Sequence, residues 1–135
     1  MNRFPCLSLA HSLVVLRVGT AALFLAHAVV RIVNDTMPQF AIYMGGLGFP
    51  QPLLWVWAIT LVEIVCGSLM IVGIKVRWMA LGLFAIAAGG IVLIHAKLGW
   101  FVGEHGTGGS EYSVCLILCL LVIAAADAER PGSRQ

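Results

Sequence analysis

Gly48-Phe49-Pro50-Gln51-Pro52, followed by Leu53-Leu54-Trp55-Val56-Trp57-Ala58-Ile59-Thr60-Leu61-Val62-Glu63-Ile64-Val65-Cys66-Gly67-Ser68-Leu69-Met70-Ile71-Val72, is the stretch that decides the fold. About twenty residues at helical rise span roughly 30 Å, the thickness of a bilayer's hydrocarbon core. Pro50 and Pro52 suit a helix start, where the missing N–H is not needed. One carboxylate, Glu63, stands midway along the run. A glutamate is too short to reach water from that depth. It is costly there unless protonated, paired or turned toward a polar interior, so an acid in this position reads as a functional site.

Outward from this run, the 135 residues have the length of one domain, 1–135. With 61% apolar and only 10% charged residues, the chain has too few charges to cover a soluble globule. The net charge of +2 is small and its positives are scattered, which argues against a nucleic-acid partner. Three more apolar segments cover 9–33, 78–96 and 112–126, the last bounded by Glu111 and Asp127. Short links make neighbouring segments antiparallel. The expectation is an all-α, polytopic membrane four-helix bundle running up-down-up-down. Arg3 and Ala26-His27-Ala28 faintly resemble a signal peptide. His11 and Arg17 interrupt its apolar region, however, and the run continues through Val33, so it reads as a retained first helix.

Arg3, Lys75, Arg77, Arg130 and Arg134 fall on one side of such a bundle, with Arg17 near that face, against Arg31 and Lys97 on the other. The positive-inside rule therefore expects both termini in the cytoplasm, and the expected location is a bacterial-type inner membrane. Trp55, Trp57, Trp78, Trp100 and Tyr112 fall near the expected interfaces. Between the first two spans, Thr36 could cap a short helix with Pro38 in its first turn and Phe40, Met44 and Leu47 on one face. That helix would lie flat at the interface or cover the bundle mouth. The glycine-rich link at 99–110 carries Gly99, Gly103, Gly106, Gly108 and Gly109, but no strand precedes it. It reads as a connector or flexible lid and not as a phosphate cradle. Cys6, Cys66, Cys115 and Cys119 form no Cys-x-x-Cys pair and read as small buried hydrophobes. Ala22 with Ala26, and Ala85 with Gly89, have the spacing of close helix contacts.

All four spans send a polar group toward one interior. The first carries Arg17, Thr20, His27, Arg31 and Asn34 on one stripe, with Phe24 filling the gap. The second contributes Thr60, Glu63 and Gly67; the third brings His95; the fourth brings Glu111, Cys115 and Cys119. By residue count His27, Arg31, His95, Glu111 and Tyr112 lie within roughly 10 Å of the outer boundary, with Glu63 deeper. Each has a plainer reading. Arg31 either snorkels to the outer interface or pairs internally with Glu111. Arg17 anchors the inner boundary or reaches toward Glu63. Glu111 caps the fourth helix or joins the site. The two histidines are hydrogen-bonded structural groups or ligand contacts.

These residues, in this order, resemble the DoxX family of small four-helix membrane proteins, which includes the DoxD-like subunit of thiosulfate:quinone oxidoreductase. Leu16-Arg17, then Phe24-Leu25-Ala26-His27 and Arg31, resemble its first-helix pattern, and Gly48 to Pro52 its Gly-x-Pro-x-Pro lead-in. Glu63, Gly67, Gly73 and Arg77 are similar to its second-helix carboxylate, glycines and following basic residue. His95 and Gly109-Ser110-Glu111-Tyr112 match later landmarks; Cys66, where a second small glycine is often seen, departs from them. The resemblance implies a membrane subunit of a redox system, with an outward-opening polar pocket for a quinone or similar small ligand. His27 and His95 could then donate hydrogen bonds to the head group, Glu63 could relay protons, and Arg31 could stabilise an anionic reduced form, with Glu111 and Tyr112 nearby. No electron-carrier motif is legible, so a partner redox protein on the outer side is implied; a homo-oligomer is compatible with this. The alternative is a non-enzymatic membrane anchor or assembly partner whose polar cluster is structural. A third reading, His27 and His95 as haem or metal ligands with Glu63, has the least support.

Overall fold

The computed structural model describes residues 7–103 and 108–129. Arg3, Cys6, Gly106, Arg130 and Arg134 lie outside the described residues. The described chain is helical throughout its regular structure: α1 (Leu9–Val33), α2 (Met37–Gly46), α3 (Pro52–Val72), α4 (Val76–Leu93), a 3-10 turn (His95–Leu98) and α5 (Glu111–Ala128). Four of these, α1, α3, α4 and α5, are long and apolar enough to cross a membrane. Most of their surface points away from the bundle, and many of the exposed positions are Leu, Val, Ile and Trp, as suits a lipid-facing surface. The fold is a polytopic helical bundle.

Local sequence sets the helix ends. Ser8 caps α1 by accepting the His11 N–H at 3.3 Å. Pro38 and Pro52 occupy the first turns of α2 and α3. Gly73 ends α3 in the left-handed conformation at φ 91°, and the N–H groups of Gly73 and Ile74 both bond to the Leu69 carbonyl at 2.9 Å. The third span is shorter at its far end than the expected 78–96: α4 stops at Leu93, where Ile94 leaves helical geometry (φ −124°, ψ −63°). His95 therefore sits on a tight turn just beyond the span.

Contacts along the seams fix the antiparallel order α1, α3, α4, α5 around the bundle, with α5 returning to α1. Gly67 of α3 lies so close to α1 that an added Cβ would come 2.9 Å from Leu25 and 3.4 Å from the Ala21 carbonyl. Gly82 of α4 meets the Cys66 sulfur in the same way, at 3.1 Å. The Arg77 N–H donates to Asp127 at 3.0 Å, joining the start of α4 to the end of α5. Ala21, Phe24, Met70, Leu83, Leu120 and Ile123 pack in the main core. The spacing-based expectation of close contacts at Ala22–Ala26 and Ala85–Gly89 does not hold within the chain. Ala22, Ala26 and Ala85 are exposed, and a Cβ on Gly89 would meet nothing within 4 Å. The close approach falls instead at Gly67 and Gly82.

The short helix covers the mouth. Met37, Ala41 and Met44 of α2 bury against Val56 of α3, with Phe40 and Leu47 half-buried beside them. Thr36 stands at the cap position but makes no side-chain cap bond. Its hydroxyl donates to the Arg31 carbonyl at 3.3 Å instead. At the other side Tyr43 Oη donates to the Leu93 carbonyl at 2.8 Å, one of the free carbonyls at the end of α4.

Candidate functional site

Beneath α2, where the four spans part, lies a cavity of about 370 Å³. Its wall is mainly apolar, with Leu23, Phe24, Met44, Ile59, Ile86 and Leu116 among the lining residues. Six polar side chains break that wall: His27, Arg31, Glu63, His95, Tyr112 and Ser113. The mix of apolar wall and few polar groups is that of a small-ligand site.

The centre of the polar wall is an ion pair. Arg31 Nη1 donates to Glu63 Oε2 at 2.9 Å and to Thr60 Oγ1 at 2.7 Å. Side-chain exposure is 12% for Arg31 and 5% for Glu63, so the pair is withdrawn from solvent and lipid. The Thr60 hydroxyl donates a hydrogen bond to the Val56 carbonyl at 2.8 Å, leaving its oxygen lone pairs to accept from Arg31. The Phe40 ring centroid lies 5.3 Å from Arg31 Cζ, so the guanidinium is also held by an aromatic face from α2. Neither sequence-based alternative for Arg31, snorkelling or pairing with Glu111, describes this arrangement. A helical side chain leans toward its own helix's N-terminus, so an arginine near the end of α1 naturally points back into the bundle.

The remaining expected residues divide. His27 lies at the exposed rim of the cavity, one turn before Arg31. His95, on the turn after α4, lines the cavity with its ring against Gly90, where a Cβ would sit 3.6 Å from Cδ2. Its Nδ1 is buried without a hydrogen-bond partner among the described residues. Burial holds the His95 imidazole below its ordinary basicity, and charge on nearby His27 lowers it further, so His95 is neutral at neutral pH. Tyr112 lines the cavity at the start of α5. Glu111 does not. It accepts the Val102 N–H at 2.9 Å and its own N–H bonds to the Trp100 carbonyl at 3.0 Å, so it closes the glycine-rich link onto α5.

Arg17 lies at the other end of the bundle, with its guanidinium 3.3 Å from where a Gly73 Cβ would be. It does not reach Glu63. Cys119 lies near Cys115 and near Thr20 on α1, and neither Cys119 nor Thr20 lines the cavity. Among the described residues no three His, Cys, Asp or Glu side chains converge as a metal site would require.

Sequence reasoning placed Thr60 on the Glu63 face without giving it a role, and passed over Ser113. Thr60 was findable: a hydroxyl three residues before a buried acid shares its face. Gly89 has the spacing of a packing glycine but opens onto the cavity, and Gly90, which carries no sequence signal of a role, makes room for His95.

No curated protein and no solved structure matches the chain. The DoxX family model matches residues 12–96, from the first turn of α1 through the His95 turn. That match covers well over half of the sequence and includes Arg31, Thr60, Glu63 and His95, and on it the chain belongs to the DoxX family.

Proposed function

We propose that this DoxX-family membrane protein is the membrane subunit of a redox system and binds a quinone, or a similar small ligand, in the cavity beneath α2. The observation that carries the reading is the buried Arg31–Glu63 pair set in the wall of a mostly apolar cavity beside His95. The residues present fit such a head group. His95 offers a buried ring nitrogen with no hydrogen-bond partner among the described residues, and Gly89 leaves open space on the cavity wall. A bound quinone would supply two-electron, two-proton chemistry, with electrons exchanged with a redox partner protein on the outer side.

Each side chain then has a definite part. Neutral His95 and rim residue His27 orient the head group by hydrogen bonds, with Tyr112 alongside. Arg31 is balanced by Glu63, so the cavity carries no net charge from the pair and suits a neutral head. When Glu63 takes a proton, the Arg31 charge is uncovered and can face an anionic reduced form. Glu63 therefore couples proton uptake to charge at the ligand, acting as the relay. Orientation with both termini in the cytoplasm of an inner membrane would turn the α2 end outward, toward that partner.

A second reading has its own support: the same pair ties α1 to α3, as a structural lock in a membrane anchor or assembly partner would. Mass spectrometry of an organic extract separates the two, comparing wild type with Glu63→Gln purified in mild detergent. Quinone in near-equal molar amount in wild type, and its loss from a still-helical mutant, is the expected result. Its absence from both proteins would leave the lock as the better account.

A further inference from the structure

The cavity has a side as well as a mouth. Near the Thr20–Cys119 level α1 and α5 are in contact. Toward α2, residues of both helices, Leu23 and His27 on α1 and Tyr112 and Leu116 on α5, line the cavity. Leu23 is 45% exposed and Tyr112 41% exposed, so the two form a rim between the cavity and the surface that the spans present to lipid. Above, the mouth is strapped by α2, whose Phe40 and Met44 form part of the cavity roof and whose Tyr43 is bonded to the end of α4. A ligand arriving from water would have to pass that strap. One arriving through the bilayer meets a slot with apolar Leu23 and Leu116 on its two sides, edged by His27 and Tyr112, and finds His95 and the Arg31–Glu63 pair in the cavity behind it.

We propose that the cavity is loaded sideways from the bilayer through the α1–α5 seam, and that its ligand is a tailed amphiphile. A small neutral polar head would sit by His95 and the Arg31–Glu63 pair, with its apolar chain lying out between Leu23 and Tyr112. The proposal rests on the ligand reading above and narrows it to lipid-soluble compounds. Leu23 and Leu116 give a chain apolar surface to lie against, with His27 and Tyr112 edging the slot, while the hydrogen-bonding groups of half-buried His95 and buried Ser113 lie further in. That gradient is how a site selects an amphiphile over a polar solute.

The test uses the full chain in lipid nanodiscs and two probes with the same benzoquinone ring, one bearing a ten-carbon chain and one without it. The tailed probe is expected to bind at least about tenfold tighter, since each methylene favours burial in the seam and bilayer. Leu23→Trp, at an exposed position that tolerates bulk, is expected to collapse that ratio by narrowing the slot. In parallel, a photoreactive benzophenone amino acid placed at Leu116 is expected to cross-link to lipid acyl chains. Cross-links confined to the protein would overturn the lateral seam whatever the quinones do. Equal binding of the two probes, or an unchanged ratio in Leu23→Trp, would overturn the tailed ligand. If neither probe binds wild type while Leu116 still labels lipid, the quinone reading fails and the seam stands.

Discussion

Arg31 shows how one side chain can change the meaning of another. Glu63 alone is an acid in an apolar helix; with Nη1 at 2.9 Å it is half of a buried pair, and Thr60 completes the shell. Removing either partner leaves an uncompensated charge, so Arg31→Met and Glu63→Gln should each destabilise the bundle, by up to about 3–5 kcal/mol for the arginine loss that strands the carboxylate. The double variant Arg31→Met/Glu63→Met should regain much of that loss in reversible unfolding from mixed micelles, yet still fail to retain ligand. A double variant as unstable as the singles would refute the pairing. His95 gives a second prediction. Its folded-state basicity lies below the ordinary 6.5 because of burial and His27. Between those two values the unfolded chain holds more protons than the folded one, so stability falls as pH drops below 6.5 and levels off under the folded value. Thermal unfolding across that window should show the slope, and His95→Gln should reduce it; an unchanged slope would locate the effect elsewhere. The acid and both histidines were legible in the sequence because ionisable groups are rare in apolar runs. The pairing was not, because it depends on the direction in which a long side chain leaves its helix, and residue counting along the axis put Arg31 and Glu63 at different depths.

Element boundaries followed from apolar run length and from Pro and Gly punctuation, which is why 9–33 and 53–72 lie so close to α1 (Leu9–Val33) and α3 (Pro52–Val72). The end of α4 was less legible, since Ile94 is apolar and no proline or glycine marks the break there. Helix faces were harder still. Spacing finds small residues but does not say which of them meets a neighbour, and the two glycines of interest have opposite surroundings. Gly67 is wedged against Leu25 and Ala21, whereas Gly89 faces open space on the cavity wall. Gly67→Leu should force α1 and α3 apart, with an overpacking loss of about 1–3 kcal/mol or more. Gly89→Val should cost little stability, since it trades a flexible glycine for a side chain with room to sit, offset in part by the lower helix propensity of valine. It should nevertheless weaken ligand retention, because its methyl groups fill space the head group would use. Unfolding midpoints and extracted ligand, measured on both variants, check the contrast. Equal destabilisation by the two would show that the cavity wall is as tightly packed as the α1–α3 seam.

For the molecule as a whole, function depends on which way the bundle faces, since the cavity lies at one end and the α2 strap covers it. Lys75, between α3 and α4, and Arg77, in the first turn of α4, lie at the opposite end, and Arg17 lies against Gly73 there. Arg77 Cζ also lies 5.6 Å from the Trp78 ring centroid, an aromatic and a cation sharing the depth at which headgroups begin. Basic residues resist translocation, so that end should remain cytoplasmic and the α2 end should face outward. A fluorescent-protein fusion at the C-terminus is then expected to glow, and alkaline phosphatase at the same place to be silent. Phosphatase inserted in the link near Gly103, on the cavity side, should be active. The charges themselves can be tested, because orientation rests on so few of them. Lys75→Glu with Arg77→Glu removes the positive charge where α3 turns into α4 and should yield a mixed population in which both reporters give signal. If wild type instead shows phosphatase activity at the C-terminus, the cavity faces the cytoplasm, and the proposed redox partner would have to act there. The Arg31–Glu63 pair, the roof and the lateral seam would keep their geometry in that case, since they are fixed by helix contacts and not by the side of the membrane they face.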